Sequence, residues 1–471
     1  MNGDIIIRAM SHYLFLALPL LVSCSTIFVV EVSRHGARTP VSFQPWDNDG
    51  RWSTYQPGEL TPEGMRQHYL IGAELRNRYI VETQLLNETF YQPQINAYST
   101  DVHRTLQSAE SQMMGLYPPS TGPNLRVPQL EETAVPPIEV YNETEIIQEL
   151  GQSALPNNTQ VVPVHTDSSD REYLLLADDT CERYRYLVKL RKNSTDVLNL
   201  KSESAGIYQT IMAYFKVSLD EAESMFSDIV DSLRCNNWYG FTVPAVFGES
   251  FFTQANLLDD QLNQLVSYVP DLLSRYAGSD FLSNLSYLLN NAKNQANNLK
   301  FQFYSAHDDT LLNILSALQL GNLLQPTFAS TLIFELIQDD NNAGIYNVTL
   351  TYNDVLQVVG NCPGTSCPLE TFLEFINARA FPNITEACMM NYDNVNWGSL
   401  TKTDTKSSGS SGLEWYWWLI IAIGILACTC IAVLTAFYII KKRKKSNKSA
   451  YGDLDFVESK GENLDFVESK A

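Results

Sequence analysis

The sequence predicts an α/β fold: a sheet flanked by helices, interrupted by an inserted, mostly helical cap and followed by one C-terminal transmembrane helix. Three observations carry that expectation. Ile27–Val32 (IFVVEV) is apolar and β-branched, as a strand buried on both faces requires. Two further runs of strand character, Ile95–Thr100 and Leu299–Ser305, are each followed by a short polar stretch and then a helical pattern. Between them, residues 142–298 are patterned mostly as helices, and far downstream Leu419–Ile440 is an uncharged run of about bilayer length.

In chain order, Leu14–Val22 follows Arg8 and precedes Ser23, Cys24 and Ser25, so residues 1–25 read as a signal peptide cleaved near Cys24 or Ser25. Residues 26–130 form the first part of the α/β domain. Its strand Ile27–Val32 ends in Ser33-Arg34-His35-Gly36-Ala37-Arg38-Thr39-Pro40, which places a histidine between two arginines where open α/β sheets bind ligands. Guanidiniums suit phosphate oxygens, and a neutral imidazole is a nucleophile able to attack phosphorus in line. Val41–Gln56 reads as a loop over the site. Thr61 and Pro62 then open a helix that continues through Met65–Tyr79, with Gly64 the anomaly and His68 a structural residue. After Ile95–Thr100 comes Arg104; alone it would be an ordinary helix-surface residue.

Residues 131–298 read as the cap, entered through the prolines between Tyr117 and Pro137. Its expected helices are Tyr173–Leu190, Ser204–Phe215, Leu219–Leu233 and Gln254–Tyr276, with His165 in a loop and no strand that would extend the sheet. Residues 299–400 return to the α/β domain. The strand Leu299–Ser305 delivers His307 and Asp308 to the start of a helix, where backbone amides favour phosphate. Asp308 can act there as helix cap or as proton donor, and Asp309 is the more ordinary cap. Phe328–Leu336 and Ile345–Tyr352 read as two late strands and Thr371–Ala378 as a last helix.

Residues 401–412 form a polar stalk and 415–440 a span with an aromatic flank, Trp415 to Trp418. The basic run Lys441–Lys445 places the tail, 441–471, in the cytosol, so the body is lumenal or extracellular and the chain is a single-pass type I membrane protein. Seven sequons fall in that body, at Asn87, Asn142, Asn157, Asn193, Asn284, Asn347 and Asn383. Tyr451-Gly452-Asp453-Leu454 resembles a sorting signal read by cytosolic adaptors, and Leu454–Lys460 recurs as Leu464–Lys470. The net charge of −21 argues against nucleic acid as a partner, since that role needs a basic face. Five cysteines lie in the body, an odd number for an oxidising lumen, and their spacing with few histidines disfavours zinc.

RHGARTP, together with YSTDVHRT, YSAHDDTL and the LTPEGMRQHYLIG helix, resembles the signatures of the histidine acid phosphatases, within the histidine phosphatase superfamily. The resemblance implies a phosphoglycerate-mutase-like sheet, with Arg34, Arg38, Arg104 and His307 holding phosphate, His35 as nucleophile and Asp308 as proton donor. No metal or cofactor is implied. It also implies the disulfides Cys362–Cys367 and Cys181–Cys388, leaves Cys235 without a partner, and allows a homodimer. The layout is similar to the membrane-anchored lysosomal or prostatic type, which implies acid hydrolysis of phosphate monoesters in a lysosome, another acidic endomembrane compartment, or at the cell surface. Phytase, inositol-phosphate and lysophospholipid phosphatase are alternatives within the family. A catalytically silent membrane glycoprotein or receptor is the alternative outside enzymes.

Overall fold

Among the described residues the sheet has eight strands, where the sequence predicts five. The computed structural model describes residues 24–127, 131–321 and 323–389. Its strands are β1 (Cys24–Arg34), β2 (Ile95–Ser99), β3 (Val164–His165), β4 (Phe301–Ala306), β5 (Thr331–Asp339), β6 (Asn342–Tyr352), β7 (Val355–Leu356) and β8 (Ser366–Pro368). They run in the order β3-β2-β4-β1-β5-β6-β7, with β8 beside β6. The pairs β1–β4, β4–β2 and β2–β3 are parallel; β5 joins β1 antiparallel and begins an antiparallel edge. Register does the positioning: Arg34 lies opposite Ala306, and Ser99 opposite Ser305. Three neighbouring parallel strands therefore end level, and the residues just past them share one edge.

Both faces of β1 are covered, as its unbroken apolar run implies. Its even-numbered residues Phe28, Val30 and Val32 join a core built with three helices, α10 (Asp271–Lys293), α11 (Asp308–Ala317) and α12 (Leu369–Arg379). Val29 faces the other way, into a core with α1 (Pro62–Arg76) and α2 (His103–Leu116). The helices between are α3 (Glu143–Leu150), α4 (Ala177–Thr180), α5 (Glu182–Arg191), α6 (Thr195–Glu203), α7 (Ala205–Phe215), α8 (Leu219–Trp238) and α9 (Glu249–Asn263); α13 (Ile384–Cys388) follows α12. A third core, with Trp46 at one end, unites α7, α8 and α9 through Ile211, Phe226, Ile229 and Leu258. α7, α8 and α9 thus bury apolar faces against one another rather than on the sheet.

Three readings of the middle of the chain need correction. Tyr173–Leu190 is not one helix: its first residues form a turn, and extended backbone at Cys181 separates α4 from α5. His165 is not in a loop: Val164 and His165 pair in parallel with Ala97 and Tyr98 and extend the sheet by a two-residue strand, too short to leave a periodic signal. Gln254–Tyr276 is not one helix. The chain passes from α9 through a π turn, Gln264–Tyr268, and restarts after Pro270, whose missing N–H and fixed φ suit the edge of a helix. The restarted helix, α10, buries Phe281, Leu282 and Leu285 in the sheet's own core, although it falls within residues 131–298.

The disulfides Cys181–Cys388 and Cys362–Cys367 are formed, the first closing a separation of 207 residues. Cys235 is free and buried. Among the sequons, Asn87, Asn142, Asn157, Asn193 and Asn383 are exposed, while Asn284 and Asn347 are half-buried. Asn284 donates its amide to the hydroxyl of Tyr304, 2.6 Å away. The expected signal peptide, apart from its last residues, lies outside the described residues, as do the expected stalk, span and tail with Tyr451 and Leu454. No helix among the described residues is long and apolar enough to cross a membrane.

Candidate active site

The turn after β1 is held by its backbone. The Arg34 amide donates to Ser330 O and that of His35 to Ala306 O, each at 2.9 Å. Gly36 N–H donates to Ser108 Oγ of α2 at 3.1 Å, and Ala37 N–H to Gln67 Oε1 of α1 at 2.8 Å. Thr61, the N-cap of α1, donates its hydroxyl to Ala37 O at 3.0 Å, and its own amide reaches the same carbonyl at 3.0 Å. The turn and the start of α1 press together so closely that a Cβ on Gly36 would lie 2.3 Å from Gly64 O, and one on Gly64 would lie 2.3 Å from Ala37 O. That contact explains the glycine in the first turn of a helix. The reason for Gly36 is this approach, not a left-handed backbone.

His35 is 1% exposed. Its Nδ1 lies 2.9 Å from Gly36 O. A carbonyl can only accept, so Nδ1 carries the proton and the lone pair is on Nε2. Burial, reinforced by the guanidiniums of Arg104, Arg34 and Arg38, holds this imidazole well below the usual histidine range, so it stays neutral in acid. The His307 ring sits 5.6 Å away, edge-on. Burial and then Arg104 push His307 down to about 3. Its Nε2 meets Thr100 Oγ1 at 3.0 Å, and its Nδ1 receives Arg104 Nη2 at 3.2 Å. Burial and Arg38 push Arg104 down to about 10, which leaves it a cation throughout the acid range.

The structure brings all six expected site residues together. Arg34 pairs with Asp308 at 2.9 Å and donates to Pro326 O, while Gln325 donates to the same carboxylate. Burial pushes the Asp308 carboxyl up, but the charges of Arg34 and Arg38 outweigh it and hold the group well below the carboxylate range. Neither reading of the helix cap holds. The N-cap of α11 is His307, whose amide donates to Thr310 Oγ1 at 3.3 Å, and Asp308 is the first helical residue.

Sequence reasoning missed three contributors. Asp231, on α8 of the cap, grips Arg38 with both oxygens at 2.8 and 3.1 Å and accepts from the Val41 amide at 2.9 Å. Cys235, one turn on, lies 3.7 Å from Arg38, and burial and Asp231 push its thiol up to about 12. Phe328 spreads under Arg34, 4.5 Å from its guanidinium carbon, and under Arg38 at 5.9 Å. Five acidic residues along α8 single out no one aspartate, and the Phe328 turn carries no motif. His68 is structural, as expected: it bridges Arg34 O at 3.0 Å and Gln112 at 2.9 Å.

Arg38, Arg104, His307 and Asp308 line a cavity of about 480 Å³ between sheet edge and cap. A larger cavity of about 690 Å³, within the cap, has no arginine, lysine or histidine in its lining. The first can hold a phosphoryl group against fixed positive charge beside a neutral imidazole and a carboxyl group.

Comparison with known proteins fits this geometry. The chain is 30% identical over 390 residues to the lysosomal acid phosphatase of Xenopus laevis, covering 80% of this chain and 81% of that one. It is 27% identical over 388 residues to the prostatic acid phosphatase of Homo sapiens, covering 80% and 91%. Among solved structures, the phytase of Citrobacter braakii superposes with a TM-score of 0.54 at 15% identity, over 78% of this chain and 100% of that one, a likeness of fold. Residues 27–353 match the sequence profile of the histidine phosphatase superfamily, branch 2, and the chain belongs to that family.

Proposed function

We propose that this protein is an acid phosphatase, a phosphoric monoester hydrolase that works through a phosphohistidine on His35. The observation that carries the reading is the Nδ1–Gly36 O contact, which leaves the lone pair on Nε2 of a ring that feels the charges of Arg104, Arg34 and Arg38. Arg34, Arg38, Arg104 and His307 hold the phosphoryl oxygens. Nε2 attacks phosphorus, the bond from phosphorus to the alcohol oxygen breaks, and Asp308 gives its proton to that oxygen. Water then attacks the phosphohistidine, and Asp308 takes the proton back. Charge held in place before reaction supplies most of the acceleration.

The acid requirement follows from the pairing of Asp308. A phosphoryl group bound at Arg34 competes with the 2.9 Å ion pair and adds negative charge beside the carboxylate. Both effects raise the carboxyl group's affinity for a proton, so the loaded site is competent only at low pH. Metal-free charge neutralisation by three guanidiniums is consistent with this scheme. His35→Ala tests the proposal: hydrolysis of an aryl phosphate should fall to background at every pH, and retained turnover would remove it.

We further propose that the catalytic body lies in the lumen of a lysosome or a related acidic compartment, glycosylated and held by the span 415–440, with Tyr451 and Leu454 read by a cytosolic adaptor. The lysosomal relatives and the charge asymmetry around the apolar run support this placement.

A further inference from the structure

Resting on the phosphatase reading, the cavity's walls indicate which alcohol the phosphate is attached to. Three arginines line the cavity, and two of them are committed to carboxylates. Arg38 is closed on Asp231 by two contacts, 2.8 and 3.1 Å. Arg234, on the outer wall, is held by Asp259 at 2.8 Å and Asp260 at 3.0 Å. Arg104 alone among the lining arginines has no carboxylate at ion-pair distance among the described residues, and it sits at the floor against His307. No lysine lines the cavity.

The outer wall is acidic. Asp178 and Asp179 on α4, Asp228 on α8 and Asp309 on α11 all line it, and none has an ion-pair partner among the described residues. Asp309 accepts from the Tyr268 hydroxyl at 2.9 Å, and burial, with Asp308 and Asp178 beside it, raises its carboxyl well above the usual range. Burial and Asp179 push Asp178 up to about 6, whereas Asp179 and Asp228 are exposed to solvent. A chain of net charge −21 has acidic surface elsewhere too. Here, however, the carboxylates stand on short side chains in a concave wall beside the reacting group, where fields are focused and screening is weak.

We propose that the cavity selects phosphate monoesters whose alcohol carries an ammonium group and rejects those whose alcohol bears further phosphates. A second phosphate meets carboxylates and no uncommitted cation. An ammonium group a few bonds from the ester oxygen meets Asp179 and Asp228 across the cavity.

The test uses the full chain at about pH 5 and four substrates: phosphoethanolamine, propyl phosphate, inositol hexakisphosphate and 4-nitrophenyl phosphate. We expect kcat/KM for phosphoethanolamine to exceed that for propyl phosphate by about tenfold, with inositol hexakisphosphate lowest. The Asp179→Asn/Asp228→Asn double variant should lower the phosphoethanolamine to hexakisphosphate ratio by about tenfold or more, and Asp179→Glu/Asp228→Glu should restore it. Preference for the hexakisphosphate, or a ratio that does not move while 4-nitrophenyl phosphate is still hydrolysed, overturns the selectivity. Failure of the unaltered chain to hydrolyse 4-nitrophenyl phosphate overturns the phosphatase reading itself, and the selectivity with it.

Discussion

His35 is useful in acid because it refuses a proton there. A solvated histidine would be mostly protonated at lysosomal pH and would have no lone pair to offer. Burial and three neighbouring guanidiniums remove that difficulty, and Gly36 O fixes which nitrogen is free. Asp308 has the opposite task. It is ionised while paired with Arg34 and must gain a proton when phosphate arrives. Asp308→Asn should therefore lower kcat about 10²–10⁴-fold for alkyl phosphates, whose alkoxide needs a proton, and far less for 4-nitrophenyl phosphate. Plotting log kcat against leaving-group pKa reads this directly; equal losses on both substrates would deny Asp308 the donor's role. These residues were legible in the sequence because each follows an apolar strand in a recognisable motif. Asp231 was not, since an aspartate within a helix reads as a solvated face until the fold turns that face toward Arg38.

At the scale of elements, β1 carries a cost that depends on pH. Glu31 alternates onto the side facing α2, where Gln112 Nε2 donates to it at 2.7 Å and its other oxygen has no partner. Burial pushes its carboxyl up to about 8, against an ordinary value of 4.5. Its protonated form is therefore favoured by folding. The associated stability is fully present below about pH 4.5 and is lost as pH rises through about 8. Neutral His35, His68 and His307 work in the other sense below the histidine range, so total stability need not rise in acid. The prediction is for a difference. Glu31→Gln should match the parent in stability near pH 4.5 and exceed it near pH 8 by several kcal/mol, measured by urea denaturation. A difference independent of pH would show that Glu31 does not hold a proton in the fold. The three strands ending at the site were legible from their apolar runs, whereas β3 and β7, two residues each, are set by neighbours rather than by pattern.

At the scale of the whole molecule, a cap with its own apolar core lends Asp231 and part of the acidic wall to a sheet edge that supplies the phosphate subsite. The Cys181–Cys388 bridge ties α4's end to α13. The cap's helices were legible by period, but not which of them would meet the sheet, because packing partners far apart in sequence leave no local trace. The proposed membrane placement rests on residues outside this body. The full chain should stay with the pellet in alkaline carbonate, a chain ending at residue 412 should be secreted in active form, and Tyr451→Ala should accumulate at the cell surface. Recovery of the full chain in the carbonate supernatant would refute the anchor.

The claim on which the chemistry rests is that phosphorus passes through the ring of His35. Turnover of a radiolabelled aryl phosphate, stopped in alkaline denaturant where phosphohistidine survives, tests it by peptide mapping. Label is expected on the peptide containing His35, lost in acid and missing from His35→Ala. Label on any other residue, or turnover with no covalent label at all, would contradict it.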